Sequence, residues 1–280
     1  EIIVSDGAKC DIGRLQLLFG QQIPVAILDP SYPVYYDSSL MVRGGPIQRL
    51  PASLEEGFVP DLSNVREGSL IFLCSPNNPT GKAFTKEELT YLVTEALKKK
   101  CLILYDVAYR SYIQSSSLPH SIFEIEGAEK VAIEIGSFSK MAGFSGIRLG
   151  WLAVSSKLNW LSGEPILSDL SRLFATLFNG ASYLSQQAGI AALSPEGFQA
   201  IQHQVTSYLK RASYLKAAAE KCHIPHWGGL NAPYLWIKPN LGSSWEAFDH
   251  LLSHGIISTP GIGFGPAGEG FLRLSSFQKE

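Results

Sequence analysis

Charge of one sign is what this chain most obviously lacks: 23 Lys and Arg stand against 25 Asp and Glu in 280 residues, a formal net charge of −2. That near balance argues against nucleic acid or a membrane surface as partner. No run of about 18 apolar residues and no secretory signal pattern occurs, so nothing reads as a spanning helix. Cysteine is scarce. Cys10, Cys74, Cys101 and Cys222 are scattered, with no C-x-x-C pair and no metal spacing. Cys74 and Cys101 lie in apolar runs and read as buried free thiols of a reducing, cytoplasmic compartment. Repeats and low-complexity segments are missing as well, and so is an initiating Met: the chain opens on the strand-like Glu1-Ile2-Ile3-Val4 and reads as a piece of a longer protein. What is there is an ordinary globular composition, 45% hydrophobic and 17% charged, enough for one large domain or two smaller ones.

Short apolar runs alternate with helical spacing along the first half. Glu1 to Ser5, Pro24 to Leu28, Ser69 to Cys74, Cys101 to Tyr105, Val131 to Gly136 and Leu149 to Val154 read as strands. Between them, Ile12 to Leu18 has helical spacing, and Thr85-Lys86-Glu87-Glu88 is a capping box that starts a helix running to about Lys100. The alternation predicts an α/β fold, a mainly parallel sheet with helices on both faces. Leu158 to Ser194 reads as mostly helical with a polar break at Phe178 to Ser182. A long helix follows from Pro195 to about Cys222, and a domain boundary is expected near Pro195. Beyond it, Tyr234 to Ile237, Ile256 to Ser258 and Gly270 to Ser275 read as strands and Ser244 to His254 as a helix. His250 and His254 share a face of that helix but have no third ligand, so no metal site is expected. Gly261 and Gly263 lack the strand-then-helix setting of a dinucleotide fingerprint.

The residues that carry chemistry sit just after the strands. Val131 to Gly136 leads into Ser137-Phe138-Ser139-Lys140, with Arg148 close behind. The reading puts Lys140 on a loop at the carboxyl edge of the sheet, where open α/β proteins bind ligands. Two hydroxyls and a guanidinium around it offer anion donors, and a lysine in an electropositive or dry pocket loses its proton readily enough to form a Schiff base. Other strand ends supply Asp29 and Tyr32, Asn78, and Asp106 with Tyr109. Gly7-Ala8-Lys9 opens a helix with a small-residue turn that suits an anion. Pro30 and Pro33 are expected to interrupt regular structure around Tyr32. Singly, each of these reads better as an ordinary turn, cap, packed ring or surface charge; their co-occurrence along one edge is the specific signal.

Ser75-Pro76-Asn77-Asn78-Pro79-Thr80-Gly81, Ser137-Phe138-Ser139-Lys140 and Arg148 together resemble the fold-type I (class I/II) aminotransferases, which use pyridoxal 5'-phosphate (PLP). The resemblance covers nearly the whole chain. It implies a large PLP-binding domain over 1–195, lacking its N-terminal part, and a smaller, incomplete C-terminal α+β domain over 196–280. Lys140 then forms the Schiff base and shuttles the substrate proton, and Asp106 keeps the pyridine nitrogen cationic. Tyr109 and Asn78 bond the phenolic oxygen and Tyr32 stacks on the ring. The Ala8 backbone, Lys9, Ser137 and Arg148 hold the phosphate, with Ser139 as helper. Arg273 clamps the substrate carboxylate, and Asn179 serves a site shared between the subunits of a homodimer.

Ser5 to Asp11, Asp29 to Tyr35, Asn179 to Ala181 and Gly261 to Pro266 are most similar to the branch of the family acting on LL-2,6-diaminopimelate with 2-oxoglutarate, in lysine and peptidoglycan precursor synthesis. Three alternatives stay open at the level of sequence: an aminotransferase with an aspartate, alanine or aromatic donor, a PLP lyase, and a regulator with an aminotransferase-like sensor domain.

Overall fold

The structure is a computed structural model and describes residues 1–44, 46–54 and 57–278. Its larger sheet contains β1 (Ile2–Ser5), β2 (Val25–Asp29), β3 (Gln48–Pro51), β4 (Leu70–Cys74), β5 (Leu102–Asp106), β6 (Ala132–Ser137) and β7 (Gly150–Val154). They lie in the order β1-β7-β6-β5-β4-β2-β3. Neighbours from β3 through β6 pair parallel, and β7 alone runs against both β6 and β1. The expected mainly parallel sheet is therefore present.

Side chains leaving a strand alternate between faces, and the apolar runs of β2, β4 and β5 feed two cores at once. Ile27, Phe72 and Leu104 pack on one face with Ile12 and Leu15 of α1 (Ala8–Phe19); Leu28, Ile71 and Ile103 pack on the other with Leu89 and Leu92 of α3 (Lys86–Lys98). That double burial is why these strands read as unbroken apolar runs. The capping box at Thr85 is formed, with both reciprocal bonds to Glu88, a feature that contributes about 1 kcal/mol.

Several expectations are corrected. Pro33 does not end regular structure; it is the first residue of α2 (Pro33–Arg43), where a fixed φ and a missing N–H cost nothing. β3 was not anticipated because Gln48 and Arg49 break the apolar pattern of an edge strand. Lys140 is not on a loop but in a one-turn helix, α4 (Phe138–Met141), whose N-cap Ser137 accepts a hydrogen bond from the Ser139 N–H.

The helical stretch after β7 resolves into α5 (Ile166–Leu177) and α6 (Tyr183–Ala192), broken where expected, and α7 (Pro195–Lys221) follows. A smaller antiparallel sheet in the order β10-β11-β9-β8 holds β8 (His226–Gly228), β9 (Tyr234–Ile237), β10 (Thr259–Pro260) and β11 (Leu272–Ser275), with α8 (Ser244–Ser253) packed against it. The strand expected at Ile256 to Ser258 lies later, at β10, because Thr259 and Pro260 are the residues that meet Arg273 and Leu272 in register.

Candidate active site

Parallel strands end on the same side, so β2, β4, β5 and β6 deliver Asp29, Cys74, Asp106 and Ser137 to one edge. The smaller sheet closes over that edge and leaves a cavity of about 600 Å³. Ala8, Lys9, Tyr32, Asn78, Asp106, Tyr109, Ser137, Ser139, Lys140, Arg148 and Arg273 all line it. Asn179 does not: it is exposed in the turn between α5 and α6.

Asp106 is the deepest charge. The Tyr35 hydroxyl donates to its Oδ2 at 2.7 Å and the Ala108 N–H to its Oδ1 at 2.9 Å. Burial pushes its pKa up, and the two hydrogen bonds oppose that rise. Tyr35 was not singled out in the sequence, because it sits on a helix that the prolines had hidden; its spacing three residues after Tyr32 was the available signal.

Cations gather at the opposite end. Gly7, the N-cap of α1, has no side chain to satisfy the first-turn amides, which leaves that helix start open to an anion. Arg148 is held beside it, donating through Nη1 to the Ser145 carbonyl at 3.0 Å and the Ser139 hydroxyl at 3.3 Å. The approach is so close that a Cβ on Gly7 would stand 2.5 Å from Arg148 Nη2, and Gly7 has φ +119°.

Lys140 lies between the two ends. Its pKa is lowered, first by burial and then by the positive charges of Arg273 and Lys9. Tyr112 fixes the turn beneath it, donating to the Lys140 carbonyl at 3.0 Å. Among the described residues no carboxylate forms an ion pair with Lys140.

The roof comes from the smaller sheet. Arg273 Nη1 donates to Asn78 Oδ1 at 2.7 Å and Nη2 to Thr259 Oγ1 at 3.4 Å. Its Nε is buried with no hydrogen-bond partner among the described residues. Tyr234, from β9, places its hydroxyl 2.6 Å from that of Tyr109. The sequence showed Tyr234 only as a strand residue, since nothing local indicates which wall that strand faces.

The sequence profile described as "Aminotransferase class I and II" matches residues 1–278. The chain belongs to that family. It is 47% identical over 292 aligned residues to an LL-diaminopimelate aminotransferase of Protochlamydia amoebophila, spanning 100% of this chain and 71% of that relative. The chloroplastic LL-diaminopimelate aminotransferase of Arabidopsis thaliana is 45% identical over 290 residues, covering 99% of this chain and 62% of its own length. The structure of L,L-diaminopimelate aminotransferase from Chlamydomonas reinhardtii superposes with a TM-score of 0.95 at 44% identity, over 100% of this chain and 71% of that one.

Aminotransferases of this family are PLP-dependent enzymes, and the residues present fit that cofactor. PLP carries a phosphate, a pyridine nitrogen and an aldehyde. The cavity offers open helix amides with Arg148 and two serines at one end, and a buried carboxylate without a cationic partner among the described residues at the other. A lysine of depressed basicity lies between. Among the described residues no group of three or more His, Cys, Asp or Glu side chains is arranged to hold a metal, and no helix is long and apolar enough to cross a membrane.

Proposed function

We propose that this chain carries out PLP-dependent transamination between LL-2,6-diaminopimelate and 2-oxoglutarate, giving tetrahydrodipicolinate and glutamate. One observation carries the reading: Lys140, Asp106 and Arg273, distant in sequence, converge on a single cavity in a chain whose relatives bear that activity in their names. When bound, the cofactor supplies an electron sink for the pair left at the substrate Cα.

Everything else is the work of the protein. The Asp106 carboxylate holds a proton on the pyridine nitrogen, and Tyr35 and the Ala108 amide keep that carboxylate aimed. Lys140 Nζ, whose basicity burial and the nearby cations depress, would be the group that bonds the cofactor's aldehyde carbon. Freed by the substrate amine, Nζ would take the proton from Cα and deliver it to the former aldehyde carbon, two atoms away. The helix amides at Ala8, with Lys9, Ser137, Ser139 and Arg148, bind the phosphate. Tyr32 covers the ring, and Asn78 and Tyr109 bond its phenolic oxygen. Arg273 receives the α-carboxylate in the two-pronged geometry that lysine lacks.

Residues 1–195 form part of the cofactor lobe in this reading, and 196–280 part of a smaller lobe; positions 279 and 280 lie outside the described residues. Two copies complete each other's sites. Exposed Asn179, with exposed Leu177, Tyr183 and Leu184 around it, supports a dimer in which that turn reaches the partner's cavity. Four free thiols agree with a cytoplasmic setting.

The test is amino transfer from LL-diaminopimelate compared with aspartate, alanine and aromatic donors, alongside the cofactor's visible absorption band. We expect LL-diaminopimelate to be preferred and the band to vanish in Lys140→Ala. Preference for another donor overturns the substrate assignment, and a protein that never acquires the band overturns the chemistry.

A further inference from the structure

Tyr109 is buried at the cavity wall, and the hydroxyl it meets belongs to the other sheet. Tyr234 Oη lies 2.6 Å away, with the two rings edge to face at 5.2 Å between centroids. On its other side, the Tyr234 ring takes the Arg273 guanidinium at 4.4 Å, and Arg273 in turn donates to Asn78. Tyr234 thus stands between the arginine assigned to the substrate carboxylate and the hydroxyl assigned to the cofactor's phenolic oxygen.

A short hydroxyl pair has two protons and one shared contact. When Tyr109 gives its proton to an acceptor in the cavity, the contact survives only if Tyr234 donates to the Tyr109 oxygen. Donation in that direction polarises the Tyr109 O–H and makes it the stronger donor. Burial raises the pKa of Tyr234, and the Arg273 guanidinium over its ring opposes that rise, which favours the Tyr234 hydroxyl as the donor of the pair.

We infer that Tyr234 is a positioning residue for this reaction: its hydroxyl orients and strengthens Tyr109 as the donor to the cofactor's phenolic oxygen, and its ring links that donor to the Arg273 carboxylate clamp. The inference rests on the PLP reading above. It goes beyond that reading in giving a role to a side chain that reaches the chemistry only through Tyr109.

The experiment is a spectrophotometric pH titration of the PLP-loaded protein, wild type against Tyr234→Phe. Phenylalanine keeps the ring, its packing and the contact with Arg273, and removes only the hydroxyl. A weaker bond to the phenolic oxygen leaves more charge there to hold the neighbouring Schiff-base proton. The midpoint of the Lys140-dependent band is therefore expected to rise by roughly half a pH unit or more. In a Tyr109→Phe background the same change at Tyr234 is expected to move nothing.

Should the phenylalanine variant fold poorly, 3-fluorotyrosine at position 234 keeps a hydroxyl and makes it a stronger donor, and the midpoint is expected to fall. An unmoved midpoint in either variant, or an equal shift in the Tyr109→Phe background, overturns the role of Tyr234 and leaves the PLP reading standing. A wild-type protein with no Lys140-dependent band overturns both.

Discussion

Arg273 Nη1 donates to Asn78 Oδ1 at 2.7 Å, a charge-assisted bond between residues 195 positions apart. It joins β11 of the smaller sheet to the turn after β4, and so brings together the residues proposed as carboxylate clamp and as cofactor donor. The guanidinium's remaining buried donor, Nε, has no partner among the described residues, so the group is held in place with hydrogen-bonding capacity to spare.

Arg273→Lys keeps the charge and loses the fork. A hydrogen bond involving a charged group contributes about 1.5–3 kcal/mol. The expected result is a fall in kcat/KM of about 10- to 100-fold for the amino acid, with the cofactor band retained. Steady-state kinetics beside an absorption spectrum make the comparison; an unchanged kcat/KM contradicts the clamp.

Asp106→Asn keeps an oxygen able to accept from Tyr35 or Ala108 but removes the negative charge. Electrostatic groups of this kind are worth about 100- to 1,000-fold in kcat. We expect a loss in that range with thermal stability close to wild type. Full turnover in the variant would show that the buried carboxylate is not needed to hold the ring proton.

Gly7→Ala places a methyl group 2.5 Å from Arg148 Nη2 at φ +119°. Either the guanidinium moves or the start of α1 does, and both belong to the end of the cavity proposed to bind the phosphate. Cofactor affinity, measured by titrating PLP into the apo-protein, is expected to weaken at least about tenfold. Binding at wild-type strength would place the phosphate elsewhere.

Asp11 lies buried in the first turn of α1, bonded by Ser5 and by Arg14. Burial outweighs those partners and lifts its pKa from 3.8 to about 7. The folded protein then holds this proton more tightly than the unfolded chain does. The contribution to stability is complete below about pH 4 and is lost as the pH rises through about 7. Each unit of displacement is worth about 1.4 kcal/mol. Urea unfolding at about pH 4.5 and about pH 8 is expected to show a larger loss in the wild type than in Asp11→Asn. Equal losses would mean that Asp11 titrates normally.

The buried strands of the larger sheet, the capping box at Thr85, the break before Tyr183 and the lysine after β6 were legible without a structure, because periodicity, caps and turn residues act within a few positions of the chain. β8 (His226–Gly228) was not, and β10 lies later than the strand expected at Ile256 to Ser258. Nor were the edge strand β3 and helix α2 legible. An edge strand needs no apolar alternation, and a proline reads the same whether it ends an element or begins one. Tyr35 and Tyr234 were invisible as parts of the site for a different reason: each is an ordinary aromatic until its partner is known. Their partners, Asp106 and Tyr109, are 71 and 125 residues away.

The sequence by itself determined which groups stand at the strand ends and therefore which chemistry is available. Only the tertiary structure decided which hydroxyl faces which. Parallel pairing gathers distant strand ends onto one edge, and the smaller sheet then packs across them, and neither contact is encoded in any local stretch of residues.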